Sequence, residues 1–407
     1  MRIGIHSQYY PPEMGAPQAR LSHLAGELAR HGHEVVVLTA FPNYPKGRIE
    51  PGYHGLFQRE ERDGMSIIRT WIRPSQSVGL YARLKSYFSF VFSSLIVGWF
   101  TLGRLDILLT ESPPLFLGIA GYLLARRTGA RWIFNVSDLW PESAVHLGAV
   151  SKGWGLDTAY ALERFCYEKA WLVTGQSAEI LENIHRRFPE VKTYHLSNGV
   201  DTERFQPDRR EAGARRLLLD GAPEGACVAL YAGLHGMAQG LDQILEAAAR
   251  LANVPEIRFV LVGDGPVKEH LMRTAKERGI GNVRFLDALG REEMPALMAS
   301  ADLSLVPLKM SLPGAVPSKI YEAMGAGVPL VLIAEGEAAT LVRRSGAGLV
   351  VTPGDTEGAV SAIQKLVANP ALRLRLGKAG REAALRDFDR REIASRFVQH
   401  LESEIAC

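Results

Sequence analysis

Two side chains in this 407-residue sequence stand at a spacing suited to an anionic, hydroxyl-bearing ligand: Lys319 and Glu322, within Leu312–Leu332, LPGAVPSKIYEAMGAGVPLVL. The preceding Asp302–Leu308 (DLSLVPL) reads as a buried strand, so the loop holding Pro313 and Gly314 opens a helix at the carboxyl edge of a sheet. A helix start offers free N–H groups and a positive dipole end, which suits a phosphate. Lys319 falls in the first turn, where a cation opposes the dipole, so its ammonium either reaches water or meets an anion. Three positions on, Glu322 shares its face, and the pair could hold a phosphate and both hydroxyls of a ribose. Ala323, Gly325 and Gly327 keep the helix end and the turn thin enough for a ligand or another backbone to approach. A surface ion pair worth about 0.3 kcal/mol accounts for the same two residues equally well.

The elements that must position this stretch alternate between strand and helix. Arg2–Ser7 is a short apolar strand, followed by a loop (8–17), a helix from about Ala19 to Arg30, a stop at His31-Gly32-His33 and a strand Glu34–Thr39. Further strands are expected at Ile107–Thr110, Trp132–Val136, Trp171–Thr174 and Thr193–Leu196, with helices near 115–127, 155–169 and 177–187. After a charge-rich stretch, Asp201–Glu224, the rhythm starts again with strands at Val228–Ala232, Arg258–Val262, Val283–Leu286, Leu303–Val306, Val328–Leu332 and Leu349–Val351. The pattern predicts an α/β protein of two doubly wound parallel sheets, residues 1–204 and 205–389, facing a cleft. A last helix within 390–407 carries Ile393, Phe397, Val398 and Leu401 on one stripe and could pack on either domain, the first being the expected one. Ligands of such sheets bind at the carboxyl ends of the strands, which in the second half lead into Gly233–Gly240, Gly263–Pro266 and Pro313–Lys319.

Composition excludes several classes. The formal net charge of +3 gives no reason to expect bulk nucleic-acid binding. Residues 1–200 carry 21 basic against 17 acidic side chains, a hint of an anionic surface near that half. Cys166, Cys227 and Cys407 are far apart and lack metal-ligand spacing, which fits a reducing compartment without disulfide or zinc. The opening MRIGIHSQYYPP is too poor in apolar residues for a signal peptide, so a cytoplasmic protein is expected.

Five strings carry a resemblance: HLSNGVDTERFQP (195–207), YAGLHGMAQGLDQILEAAARL (231–251), FVLVGDGPVKEHL (259–271), NVRFLDALGREEMPALMASADLSLVPL (282–308) and PSKIYEAMGAGVP (317–329). Together with YYPPEMGAPQARLSHLAGELARHGHEVVVLT (9–39), they look like glycosyltransferase family 4, of the GT-B fold. The resemblance implies retaining transfer of a sugar from a nucleotide-diphosphate donor, UDP-linked, to a saccharide acceptor, with no metal and no cofactor. By the same resemblance Glu322 matches the ribose-binding glutamate. Asp264, Gly265 and Pro266 match the turn beside the base, the loop Ala288–Arg291 covers it, and Gly15 matches the glycine that approaches the diphosphate.

The sequence departs from that family at three points. Where the family carries Arg and Lys for the diphosphate, this chain has Leu234 and Gln239, and eight positions before Glu322, in place of a first glutamate, stands Gly314. Lys319 and His235 would then supply the positive charge, helped by the N–H groups of Ala315, Val316 and Gly236. The variant pattern is similar to a bacterial surface-polysaccharide branch that includes L-fucosamine (N-acetyl-aminosugar) transferases, with a polyprenyl-diphosphate-linked acceptor. Many relatives have His where Ser137 stands, which leaves Asp138 the nearest ionisable group in FNVSDLWPES (134–143). Asp138 or Glu142 could take the acceptor's proton, or serve only as a helix cap and a solvated first-turn acid. With no evident nucleophile, the departing diphosphate itself would take that proton, and stabilising its charge would be the protein's main contribution.

Tyr87–Leu102, YFSFVFSSLIVGWFTL, is the most apolar segment. It is shorter than the roughly 20 residues that span a bilayer, and reads either as a core helix or as a patch dipping into the inner leaflet of the cell membrane, flanked by Arg83, Lys85 and Arg104. Three other functions compete. A sugar-nucleotide epimerase of the same fold would need an acid set and no acceptor. A two-lobed binding protein would normally be exported. A nicotinamide dehydrogenase would need G-x-G-x-x-G after a strand, and GDG at 263–265 is too short.

Overall fold

The computed structural model describes all residues except 14, 45–46, 76–79, 147–152, 224 and 407; the side chains of 16, 80, 81 and 406 are also outside it. Cys407 and Glu224, the end of the charge-rich stretch, thus lie outside the described residues. The chain divides into two compact units, Met1–Asn198 with Arg391–Cys407, and Gly199–Arg390.

The first unit runs β1 (Arg2–His6), α1 (Ala16–Arg30), β2 (Glu34–Ala40), β3 (Phe57–Arg62), β4 (Met65–Thr70), α2 (Leu80–Thr101), β5 (Ile107–Ser112), α3 (Leu117–Thr128), β6 (Arg131–Val136), α4 (Glu142–His146), α5 (Trp154–Lys169), β7 (Leu172–Gly175), α6 (Ala178–Arg187) and β8 (Thr193–His195). Its sheet has the order β3-β4-β2-β1-β5-β6-β7-β8, parallel except for the antiparallel pair β3–β4. This hairpin is absent from the strands expected above. Its turn is Asp63-Gly64, both with positive φ (52° and 72°), the primed geometry that a twisted two-residue hairpin requires. The six inner strands, β4-β2-β1-β5-β6-β7, are largely buried, and alternate residues feed two cores. Ile3, Val35, Ile107 and Leu109 point to one, Val36, Leu38, Leu108 and Phe134 to the other.

The second unit runs α7 (Ala212–Leu219), β9 (Cys227–Ala232), α8 (Asp242–Arg250), β10 (Ile257–Val262), α9 (Lys268–Glu277), β11 (Val283–Leu286), α10 (Met294–Ala299), β12 (Leu303–Pro307), α11 (Ser318–Gly325), β13 (Leu330–Ile333), α12 (Gly336–Ser345), β14 (Gly348–Val351), α13 (Thr356–Ala368) and α14 (Pro370–Asp387). Its sheet is wholly parallel, in the order β11-β10-β9-β12-β13-β14. The order reverses between β9 and β12, so the loops after those two strands flank the point at which such sheets bind ligands. Local signals set the helix ends: Asp355 accepts from Gly358 N at the start of α13, Asn369 from Leu372 N at the start of α14, and Gly346 ends α12 in the left-handed region. Within the charge-rich stretch the structure places α7, whose Leu218 is fully buried.

Two helices carry apolar stripes whose use the structure shows. The chain returns to the first unit as α15 (Arg390–Ala406), where Ile393, Phe397, Val398 and Leu401 join the core formed by α1 and β1. In α2, Phe90, Val91 and Val97 are buried, and Ser93 and Ser94 bond to Thr70 and His6 inside, yet Phe88, Phe92, Ile96, Trp99 and Phe100 are exposed. One helix therefore has a core face and a second apolar face. Among the described residues no helix is long and apolar enough to cross a membrane.

Candidate functional site

In the second unit the loop after β12 turns through Gly314, at φ 72°, and enters α11 behind Pro317. Lys319 sits in the first turn as expected. Among the described residues its ammonium has neither a hydrogen bond nor an ion pair; it lies 5.4 Å from the centroid of the Tyr231 ring, a cation–π contact. Burial holds its pKa below the usual lysine range, while Glu322 pulls the other way. The ammonium crosses the turn after β9: a Cβ on Gly233 would meet its Nζ at 2.7 Å, so only glycine, here at φ 141°, leaves the lysine in place. The Glu322 carboxylate, one turn on, likewise has no hydrogen-bond partner among the described residues. A half-buried cation and a carboxylate without a hydrogen-bond partner among the described residues share one helix face, an arrangement that can accept an anion on one side and hydroxyl donors on the other.

The backbone groups expected to help divide into two sets. Ala315 N already donates to Leu312 O at 3.0 Å, so it is committed to the loop, a correction to the expected phosphate contact. Val316 N and Gly236 N donate to no described residue, although the Val316 side chain belongs to the core. Gln239 ends a single tight turn, Met237–Gln239, and brings no charge. Asp264 is exposed and caps its own turn, accepting from Gly265 N at 2.7 Å.

His235 does not act as the second cation. It is fully buried, neither ring nitrogen has a hydrogen-bond partner among the described residues, and burial, with Lys268 and Lys319 pushing the same way, lowers its pKa to about 4. Its place is structural. His235 N donates to Asp264 O at 2.8 Å and accepts, through its carbonyl, from Val267 N at 3.1 Å, which sews the turn after β9 to the turn after β10. The glycines at 263 and 265 are forced by this contact, since a Cβ on Gly263 would lie 1.9 Å from Gly233 O and one on Gly265 2.4 Å from His235 O.

In the first unit Asp138 follows β6 and accepts from Ser143 Oγ at 2.5 Å. Burial raises its pKa, against the Ser143 and Leu139 hydrogen bonds that lower it, so this carboxylate takes a proton more readily than a solvated one. The same Ser143 contact is what a helix cap would make, and both uses fit the geometry. Glu142 is turned to α6, where it accepts from Asn183 Nδ2 at 3.2 Å, rather than toward Asp138. Gly15 is an exposed residue in extended backbone at the start of α1; beside it the Gln18 side chain is buried, and its Oε1 has no partner among the described residues.

Sequence reasoning missed a densely bonded buried group of this unit. Arg20, buried on α1, donates to both oxygens of buried Glu111 at 2.6 and 2.8 Å, to Ser137 Oγ at 2.8 Å and to Asn198 Oδ1 at 2.9 Å. Asn135 Nδ2 and Ser137 Oγ complete the shell of Glu111, at 2.7 and 2.5 Å, and Thr174 Oγ1 donates to Asn135. The carboxyl ends of β5, β6 and β7 are thereby tied to α1 immediately before Asp138. One signal was present: Arg20 lies four and eight positions before Leu24 and Leu28, on the apolar stripe of its own helix, where a charge needs a buried partner.

With this geometry in hand, comparison with known proteins becomes specific. The family model "Glycosyl transferase 4-like domain" matches residues 15–199, and "Glycosyl transferases group 1" matches 220–383. A putative colanic acid biosynthesis glycosyl transferase of Escherichia coli K12 is 28% identical over 415 residues, covering 98% of this chain and 100% of that one. A GDP-mannose-dependent α-(1-6)-phosphatidylinositol monomannoside mannosyltransferase of Mycolicibacterium smegmatis is 29% identical over 96% of each chain. Among solved structures, a sucrose-phosphate synthase of Thermosynechococcus elongatus superimposes with a TM-score of 0.79 at 22% identity, over 100% of this chain and 99% of that one. The two sheets, the two matched domains and these full-length relatives lead to one conclusion: the chain is a glycosyltransferase of the GT-B fold, built from a glycosyl transferase 4-like domain and a group 1 glycosyl transferase domain.

Proposed function

We propose that this glycosyltransferase moves a 6-deoxy or N-acetylated aminosugar, with retention of configuration, from a nucleoside-diphosphate donor to a lipid-linked saccharide in surface-polysaccharide synthesis. The observation that carries the reading is the Lys319 ammonium over the Gly233 turn, without a hydrogen bond or ion pair among the described residues, with the Glu322 carboxylate one helical turn away. A diphosphate supplies the missing counter-charge and a ribose the missing donors. The E. coli relative, named for colanic acid, supports the polysaccharide assignment. Gly314, where a first glutamate would bind sugar hydroxyls, supports a donor with fewer polar groups on that edge.

In the step itself the bond from the anomeric carbon to the diphosphate oxygen breaks, and the acceptor oxygen bonds that carbon from the same face. Its proton passes to the departing diphosphate, and Lys319 stabilises the charge left there. Asp138, with its raised pKa, is a candidate to hydrogen-bond the acceptor hydroxyl. UDP is the nucleotide to test first and GDP the alternative, because the mycobacterial relative is named for GDP-mannose.

The test combines a thermal-shift screen of UDP- and GDP-sugars with kinetics and calorimetry on two variants. A donor at 100 times its Kd should stabilise the protein by about 2.7 kcal/mol. Lys319→Ala should chiefly lower kcat, since charge on the leaving phosphate grows toward the transition state, and Glu322→Gln should chiefly weaken nucleotide binding, by about 1.5–3 kcal/mol. An undiminished kcat in Lys319→Ala, or a product of inverted configuration, sinks the mechanism.

A further inference from the structure

We infer that the exposed face of α2, with the adjoining face of α3, is a docking surface for an anionic lipid bilayer, on which the protein lies without spanning it. The inference rests on the lipid-linked acceptor proposed above. It starts from an apolar stripe that folding does not use: Phe92 is 64% exposed, Ile96 50% and Phe100 81%, with Phe88 and Trp99 also exposed on the same helix. Spaced at 88, 92, 96 and 99–100, they recur near the helical period and so share one face. Ile119 and Leu123 of α3, which packs against α2, are exposed as well and widen the patch. The core requires none of them, because α2 is anchored on its other side by Phe90, Val97 and Gly98, where a Cβ would lie 2.9 Å from Leu38.

Charge identifies the occupant. Neither α2 nor α3 contains a single Asp or Glu, whereas exposed Lys85 lies on α2, Arg104 follows it and Arg126 and Arg127 end α3. The Arg127 guanidinium lies 5.7 Å over the Trp99 ring, an aromatic and a cation at the same level, as an interface between acyl chains and headgroups demands. Cations bordering exposed aromatics complement anionic headgroups over acyl chains. The patch also leads somewhere. Phe88 contacts Phe116 at 4.7 Å between centroids and Phe116 contacts Trp140 at 5.5 Å, so an unbroken aromatic path runs from the exposed face to within two residues of Asp138. An acceptor anchored by its lipid in the same bilayer would present its sugar along this path.

The experiment is co-sedimentation of the full-length protein with vesicles of phosphatidylglycerol and phosphatidylethanolamine, and with phosphatidylcholine alone, both without acceptor. The parent should bind the anionic vesicles and be released by high salt together with mild detergent. Phe92→Ser/Ile96→Ser/Phe100→Ser should lose on the order of tenfold or more in partitioning while its Tm stays at the parent value. The single Phe100→Asp variant, at the most exposed position, repeats the test should the triple variant fold poorly. Transfer to a polyprenyl-diphosphate-linked acceptor in detergent is measured alongside. A parent that transfers sugar there yet ignores anionic vesicles overturns the docking surface and leaves the proposed function standing. So does an unbound parent that is dimeric and becomes monomeric in the triple variant, which would assign the face to a second copy of the chain.

Discussion

A histidine shut away from water without a partner for its ring nitrogens favours the neutral form, and among the described residues His235 meets that condition beneath two glycine turns. Its folded pKa of about 4 lies below the ordinary 6.5, so between those values the unfolded chain holds a proton that the folded chain does not. Stability is therefore full above pH 6.5 and falls as pH drops toward 4, by about 3 kcal/mol from this residue at the bottom of the window. His235→Leu should flatten that part of the profile, measured as unfolding free energy in denaturant at pH 4 to 7. Parallel curves for parent and variant would show that protonation of His235 is not what the acid limb reports. The same residue shows why sequence alone misassigned it. GLHG beside a predicted phosphate loop offers a titratable ring, and nothing local states that the turn at 263–265 closes over it. That Lys319 and Glu322 share one helix face was legible because their relation is local, three residues on one helix.

At the scale of elements, the parallel strands were legible because burial on both faces leaves a near-continuous apolar run, as in EVVVLT and FVLVG. The hairpin β3–β4 was not, since β3 (FQREER) is an edge strand with mostly polar, exposed residues and only its Asp63-Gly64 turn announces it. The ion pair of Arg20 with Glu111 was equally hidden, because the partners stand on α1 and β5 and only the sheet order brings them together. It now makes a sharp prediction. Arg20→Met keeps the apolar stem but leaves a buried carboxylate without its cation, which should cost about 3–5 kcal/mol. Adding Glu111→Gln to that variant removes the charge as well and should restore most of the loss. Urea unfolding of the three proteins decides it; a single variant within about 1 kcal/mol of the parent would mean that Ser137 and Asn135 alone satisfy Glu111.

At the scale of the whole molecule, the chain crosses from one unit to the other twice, after Asn198 and after Arg390, so that its last helix completes the unit in which it began. Periodicity gave the apolar stripe of α15 but not the surface it covers, because that surface is assembled from residues far back in the chain. Phe397 is buried among the β1–α1 core and meets the Tyr194 ring at 5.0 Å; His400 stacks on Tyr194 at 4.6 Å, and the Glu404 carbonyl accepts from Arg131 at 2.8 Å. Removing the Phe397 ring should leave a cavity under α1 and cost about 3–5 kcal/mol. The location of the loss distinguishes the two units. In Phe397→Ala, hydrogen exchange measured by mass spectrometry should accelerate at β1, β2 and β5, whose amides depend on that core, and at α15 itself, while β9 to β13 keep the parent rates. Donor binding to the second unit should then persist in a protein whose first unit is weakened. Faster exchange spread evenly over both sheets would show instead that the last helix stabilises the molecule as one cooperative body, and that the division of the chain at Asn198 and Arg390 carries no energetic boundary.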